Sequence, residues 1–380
     1  MSNSRPTKRV DPAGDGGDLD DLRRQIDDVD SAILRLLNDR ARLVQSVGAL
    51  KEARNAPVYA PDRERQIVDR LAGENLGPFP NRGLAPVFRE IVAATRSLEA
   101  EPPIAFFGPE GTFTHQAAKE RFGELAPLMG LPSITDVFAN VEKGKAGIGV
   151  VPVENTTAGV VTETLDAFAE SDISICGEIV LRISLDLFSR SGRIEDVERL
   201  VSHPQPLAQC RRWLDQHLPQ VERVEAASTA AAVKLASEDP AVAAIGSSTA
   251  GEAFGLVTVE SAIQDRRENT TRFLILGRQH PEATGNDLTS ALFTIRKDEA
   301  GGLFRLIEPM ANRGVNLTSI HLRPIAGKPW EYYFFVDIEG HQSDPQVAAA
   351  LADACDVAHT TRILGSFPRA TTALSGAREM

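Results

Sequence analysis

At 380 residues the chain exceeds one typical domain, and its 42% hydrophobic and 25% charged composition is that of a globular protein with two or three buried cores. A net charge of −12 excludes the basic footprint of a nucleic-acid-binding protein, although a local basic pocket would still accept a small anion. Three scattered cysteines, Cys176, Cys210 and Cys355, suit reduced cytoplasmic thiols rather than a disulfide frame or a zinc site, and no apolar run approaches the ~20 residues of a membrane span.

Residues 1–17, rich in Gly, Asp, Pro and Ser, predict a disordered tail rather than a signal peptide. The first domain spans 18–100. Apolar residues at three- and four-residue steps (Leu22, Ile26, Val29, Ile33, Leu36, Leu37, Leu43, Val44, Val47, Leu50) predict one amphipathic helix over 19–53. A turn at Asn55-Ala56-Pro57 ends it, a second helix is expected over 61–72, and a third over 84–98. Three helices, one very long, cannot bury their own apolar faces, so an intertwined homodimer is expected. Arg40 and Lys51 lie about 20° apart around the helix and about 16 Å apart along it, while Arg23 is about 100° from Arg40 and is free to serve a neighbouring subunit. Arg63 and Glu64 on the second helix, and Thr95 and Glu99 on the third, complete a set in which cations predominate. Such a set suits a dianion, and it also describes a solvated charged face.

Glu101-Pro102-Pro103 marks a boundary, and 103–279 reads as two α/β lobes. Strands over 104–107, 146–151 and 173–180 alternate with helices over 114–122 and 160–170. A break near 185–193 starts a second set, and the chain returns to the first at 270–277. Parallel strands and a cleft between the lobes are expected. Gly108-Pro109-Glu110-Gly111-Thr112-Phe113-Thr114 opens a helix with free amides, an anion site that lacks the Gly-Lys-Ser/Thr of a P-loop. Glu154, Asn155 and Thr156 stand just past an apolar strand, where α/β ligands bind; Asn155 and Thr156 are equally good helix caps. Ser202 and Gln209 are ligand candidates, whereas His203 has no evident acidic partner and reads as structural. Asn269-Thr270-Thr271-Arg272-Phe273 joins a hydroxyl, a guanidinium and an aromatic ring. The trio suits a small anion that loses a hydroxyl group. No metal, redox cofactor or Schiff-base lysine is suggested.

Residues 279–287 form a second linker. The segment 288–368 has the order β-α-β-β-α-β, with elements expected over 290–296, 303–313, 315–323, 332–338, 345–354 and 357–364, the pattern of a ferredoxin-like sandwich.

The stretches Leu22-Arg23-Arg24-Gln25-Ile26, Leu37-Asn38-Asp39-Arg40, Val47-Gly48-Ala49-Leu50-Lys51 and Asp62-Arg63-Glu64-Arg65 resemble the all-helical class of chorismate mutase. The resemblance implies a Claisen rearrangement of chorismate to prephenate. It makes Arg23, Arg40 and Lys51 substrate-binding cations, Arg63 and Glu64 the second-helix pair, and Thr95 and Glu99 the third-helix polar positions. That reaction needs a compact conformer and positive charge near the breaking ether oxygen, for which Lys51 is the candidate. The family often has Asp at the position of Ala60 and Gln at that of Glu99. A carboxylate beside the ether oxygen must be protonated to donate, so mutase activity is expected to strengthen on mild acidification and Glu99→Gln to flatten the profile.

From 104 to 277 the chain resembles prephenate dehydratase, through Gly108 to Thr114, Val151 to Val160, Ser202 to Gln209, Ser228 to Ala232, Ala244 to Ser247 and Asn269 to Phe273. The resemblance implies a two-lobed, periplasmic-binding-protein-like fold and conversion of prephenate to phenylpyruvate with loss of carbon dioxide and water. Thr271 then assists departure of the hydroxyl as a hydrogen-bond donor, Arg272 binds a substrate carboxylate, and Phe273 shapes the pocket. Thr112, Glu154, Asn155, Thr156, Ser202 and Gln209 line it. An arogenate substrate fits the same residues. A non-catalytic amino-acid-responsive binding protein is opposed by the intact Thr271-Arg272-Phe273.

The last domain resembles an ACT regulatory domain, with Gly301-Gly302-Leu303 in place of the family's Gly-Ala-Leu and His321-Leu322-Arg323-Pro324 in place of Glu-Ser-Arg-Pro. This implies phenylalanine at a dimer interface and makes Gly301, Gly302, Leu303, Asn316, Leu317 and Arg323 its ligands. The whole chain then resembles the bifunctional chorismate mutase–prephenate dehydratase family: an all-α three-helix domain, a two-lobed α/β domain and an α+β ferredoxin-like domain.

Overall fold

The structure is a computed structural model that describes residues 19–54, 61–96, 102–266, 268–296, 300–370 and 374–375. The expected N-terminal tail, Ala60 and Glu99 lie outside the described residues. The first domain is helical, with α1 (Leu19–Arg54), α2 (Pro61–Glu74) and α3 (Leu84–Arg96). Most of the stripe that folds α1 is left uncovered by the described residues: Leu22, Ile26, Val29, Ile33, Leu34, Leu36, Leu43, Val47 and Leu50 are exposed, while Leu37 and Val44 are half-buried. α3 instead packs on the next domain. Glu90 accepts the amide of Glu124 at 3.1 Å, and a Cβ on Gly123 would come within 2.6 Å of Ala93 Cβ.

The first lobe of the middle domain holds β1 (Ile104–Phe107), α4 (Phe113–Phe122), β2 (Leu128–Leu131), α5 (Ile134–Glu142), β3 (Ile148–Asn155), β4 (Gly159–Val160), α6 (Thr162–Glu170) and β5 (Ser174–Arg182). The second lobe holds β6 (Asp186–Ser189), β7 (Arg199–Ser202), α7 (Pro204–Gln209), α8 (Arg211–His217), β8 (Glu222–Glu225), α9 (Thr229–Glu238), β9 (Val242–Gly246), α10 (Ser248–Ala253) and β10 (Val257–Glu260). The chain then re-enters the first lobe as β11 (Thr270–Gly277), between β5 and β3. The expectation of parallel strands holds for β2, β1 and β3 but not for β11, which is antiparallel to both neighbours. The chain leaves the lobe along β5 and must return along β11, so the two run in opposite senses. Where they cross between lobes, the Ile263 amide bonds to Leu185 O, and Gln264 Oε1 accepts the Leu185 amide.

The third domain contains β12 (Asp287–Thr294), α11 (Gly302–Asn312), β13 (Leu317–Pro324), β14 (Tyr332–Glu339), α12 (Pro345–Val357) and β15 (Thr360–Pro368), with sheet order β13-β14-β12-β15. One face of this sheet is covered by its own helices, around Phe293, Leu306, Met310, Val336 and Leu351. The other lies on the first-lobe sheet, where Leu288, Leu292, Phe335, Leu364 and Phe367 share a core with Ile175, Leu274 and Leu276. Gly365 is needed there, because a Cβ would overlap the carbonyl of Ile175. A short β16 (Leu374–Ser375) pairs parallel with the edge of β5, an element with no counterpart in the sequence reading.

Among the described residues, no helix is long and apolar enough to cross a membrane. Cys176 and Cys210 are buried and Cys355 is exposed. Burial pushes the Cys176 thiol up to about 12, and burial together with Asp265 and Asp186 does the same for Cys210. A chromogenic thiol reagent at pH 8 is expected to titrate one thiol rapidly in native protein and all three after denaturation. Three equally fast thiols in the native protein would contradict this packing.

Candidate active sites

In the helical domain the structure brings two predicted residues together. Arg40 Nη1 donates to Thr95 Oγ1 at 2.6 Å, and Thr95 in turn bonds back to the Ile91 carbonyl. Burial lowers the Arg40 pKa, yet a guanidinium remains charged at any physiological pH. Its partner among the described residues is a neutral hydroxyl, which leaves the positive charge available to an anion. Arg23 is different: it is exposed, bonds Asp20 at 3.2 Å, and lies about 25 Å along the helix from Arg40. Lys51, Arg63 and Glu64 lie on α1 and α2, but their side chains fall outside the described residues.

The cleft site forms where β3 ends and β11 begins, with Thr271 opposite Asn155. Asn155 Oδ1 accepts two backbone amides, Thr157 N at 2.9 Å and Ala158 N at 2.8 Å. That fixes the amide orientation, so Nδ2 must donate. It donates to Thr271 Oγ1 at 2.7 Å and to Asn269 Oδ1 at 2.8 Å. Thr271 therefore accepts from Asn155 and keeps its own proton for another acceptor. Thr156 ties the same two segments, accepting the Thr270 amide at 3.0 Å. Phe273 is buried below, in the core around Ile104, Phe106 and Ile179.

The lobes also meet at Gly111 and Ser247. Ser247 Oγ donates to Gly111 O at 2.9 Å, and a Cβ on Gly111 would stand 3.1 Å from Ala250. Gly111 also has φ +82°, so its backbone and the close approach both demand glycine. Thr112 caps α4, accepting the His115 amide at 3.3 Å. His115 Nδ1 accepts the Gly111 amide at 3.0 Å, and burial, aided by Lys119, lowers its pKa.

Three predicted cleft ligands, Glu154, Arg272 and Ser202, take other positions. Strand alternation puts Glu154 and Arg272, a register pair, on the face opposite Asn155 and Thr271. Glu154 approaches His321 of the third domain at 3.9 Å. Arg272 Nε bonds Glu178 at 2.7 Å and Nη1 bonds Asp337 at 2.5 Å. Burial works against its charge, but the two carboxylates outweigh burial and raise its pKa. Ser202 is fully buried and donates to Ile245 O at 3.0 Å, which makes it a brace between strands. Gln209 is half-buried at the end of α7, and its backbone carbonyl accepts the Asp265 amide at 2.8 Å. His203 caps α7 through Nδ1, consistent with a structural part.

The predicted effector residues are also separated. Gly301 is the left-handed cap of α11 (φ +75°), followed by buried Gly302 and partly exposed Leu303. Asn316 and Leu317 lie beyond the other end of this 11-residue helix, about 16 Å away. Arg323 forms a two-pronged bond to Asp166 of α6, at 2.8 and 2.6 Å.

The prephenate dehydratase family matches residues 104–281, chorismate mutase type II residues 22–100, and the ACT domain residues 290–356. The bifunctional chorismate mutase/prephenate dehydratase of Aquifex aeolicus (strain VF5) is 44% identical over 357 residues, covering 93% of this chain and 98% of that one. The chain belongs to the bifunctional chorismate mutase/prephenate dehydratase family. Its helical, two-lobed and ACT domains follow in the order that the sequence predicts. The structure of prephenate dehydratase from Arthrobacter aurescens in complex with L-Phe is 35% identical, with a TM-score of 0.65 over 70% of this chain and 90% of that one. GqqA, described as a novel type of quorum-quenching acylase, is 27% identical with the same TM-score, over 70% of this chain and 98% of its own. As a member of the family the chain is an enzyme, carrying a chorismate mutase domain and a prephenate dehydratase domain.

Proposed function

We propose that this chain is a cytoplasmic enzyme that rearranges chorismate to prephenate in the helical domain and converts prephenate to phenylpyruvate in the two-lobed domain. The observation that carries the second step is the bond from Asn155 to Thr271. It turns the threonine hydroxyl into an oriented donor, polarised by the amide it accepts from. Loss of the ring hydroxyl is driven by aromatisation, so the protein's work is to hold the substrate and offer a hydrogen bond to the departing oxygen. Arg40, backed by Thr95, supplies a cation to the mutase site, with Lys51, Arg63, Glu64 and Glu99 as its further members.

The uncovered stripe of α1 supports a homodimer in which a second copy buries it and brings Arg23 to the partner's site. The ACT domain is proposed to bind phenylalanine between two copies. Gly301, Gly302 and Leu303 would come from one, and Asn316 and Leu317 from the other, because one chain holds these groups at opposite ends of a helix.

The test is purified protein given chorismate alone, with chorismate, prephenate and phenylpyruvate followed in time. Phenylpyruvate should appear after a prephenate lag and fall when phenylalanine is added. Prephenate accumulating without phenylpyruvate would overturn the dehydratase assignment, and turnover of arogenate in its place would redirect the substrate. Unchanged phenylpyruvate formation at saturating phenylalanine would retire the effector role.

A further inference from the structure

Arg272 follows Thr271 on β11, yet the two side chains leave opposite faces of the sheet. A substrate that touches Thr271 Oγ1 is screened from Arg272 by the strand itself. Two of its nitrogens are committed elsewhere, Nε to Glu178 on β5 and Nη1 to Asp337 on β14, and Nη2 is buried on the same side without a partner among the described residues. Both acids are held in turn: Glu178 Oε1 accepts the Ala370 amide at 2.8 Å, and Ser290 Oγ donates to Asp337. The side chains of the triad are only 18%, 4% and 14% exposed, so little solvent competes for these bonds.

The same ACT sheet also grips α6, the helix that follows the turn carrying Asn155. Arg323 pairs with Asp166, and Arg362 bonds Ser171 O at 2.8 Å and the Phe168 carbonyl at the helix C-terminus, where a cation is favoured. The strand carrying Thr271 and the helix behind Asn155 are thus both pinned to the ACT domain by charged pairs.

We infer that Arg272 is a positioning residue: its bonds to Glu178 and Asp337 fix the start of β11, and with it the Thr271 hydroxyl against Asn155, which makes the ACT sheet a structural part of the dehydratase site. This inference rests on Thr271 being the hydrogen-bond donor proposed above. It reassigns Arg272 from substrate carboxylate ligand to support.

The test uses the full-length enzyme with prephenate as substrate, and mutase turnover in the same preparation as the control for folding. Asp337→Asn is nearly isosteric and should lower dehydratase kcat ~10-fold with KM within ~2-fold, and Arg272→Met should lower kcat further with KM again little changed. A carboxylate ligand behaves differently: Arg272→Met would raise KM ~100-fold and Asp337→Asn would leave kcat intact, and that outcome overturns the inference. A double-mutant cycle separates positioning from general damage. If Asp337 acts through Thr271, Asp337→Asn costs little more once Thr271 is alanine, whereas fully additive losses refute the coupling. Should Arg272→Met fail to fold, Asp337→Asn and this cycle decide alone. Full dehydratase activity in Thr271→Ala by itself would fault the assignment of Thr271, a separate failure.

Discussion

Thr271→Ala is expected to lower dehydratase turnover by ~10²–10³-fold and leave chorismate mutase turnover unchanged. The size follows from what is removed. Thr271 is only 8% exposed, and its hydroxyl is oriented by an amide that two backbone N–H groups hold in place. A preorganised donor aimed at developing negative charge contributes roughly 3–4 kcal/mol to a transition state. The substitution opens no large cavity and should not unfold the domain, so mutase activity measured on chorismate provides the internal control. Thr271→Ser, which keeps the donor, should recover most of the loss. Turnover within ~3-fold of wild type for the alanine variant would show that hydroxyl departure needs no help from this residue.

Arg40→Met is the mirror experiment. It keeps much of the side-chain volume in α1 and removes the charge. Mutase kcat/KM should fall by ~10³-fold while dehydratase activity on supplied prephenate stays at the wild-type level. The expected loss is large because Arg40 is partly desolvated, and its protein partner, Thr95, offers no countercharge. Among the described residues no acid neutralises it, so on the proposed assignment its positive charge acts on the substrate. Thr95→Val should give a smaller loss, since it frees the guanidinium without removing it. A mutase rate unaffected by Arg40→Met would remove Arg40 from the site. Taken together, the two variants would give two half-enzymes from one chain, and mixing them should restore the flux from chorismate to phenylpyruvate.

The helices and strands were legible because their periods are clean. The three- and four-residue steps of α1 are unbroken over 36 residues, and β11 is announced by the apolar run that follows Thr271. Antiparallel β11 was not legible, because pairing direction depends on which strand the chain returns beside. The face assignment of Arg272 was available in principle: a period of two separates neighbours on a strand, so Thr271 and Arg272 could not both face the cleft. Its partners also left a trace. Glu178 lies in Ile-Cys-Gly-Glu-Ile-Val and Asp337 in Phe-Phe-Val-Asp-Ile, each an acid set among apolar neighbours, and such a residue is buried only when paired. That the cation joining them is Arg272, 94 and 65 residues distant, is a fact of tertiary structure. Ser202 and Glu154 were misplaced for the same reason: a polar residue at a strand end suits a ligand, a brace or a domain contact equally well.

In sequence, 279–287 reads as a tether that leaves a sensor free to swing. The packing of Leu288, Phe335 and Phe367 onto Leu274 and Leu276, with Gly365 drawn in against Ile175, removes that freedom. Two sheets stacked through a common interior cannot separate without exposing apolar surface to water. A signal arriving at the ACT helices therefore has no lever arm to move. It must reach the cleft as a small sliding of one layer over the other, a displacement of the kind that close-packed interiors transmit rather than absorb.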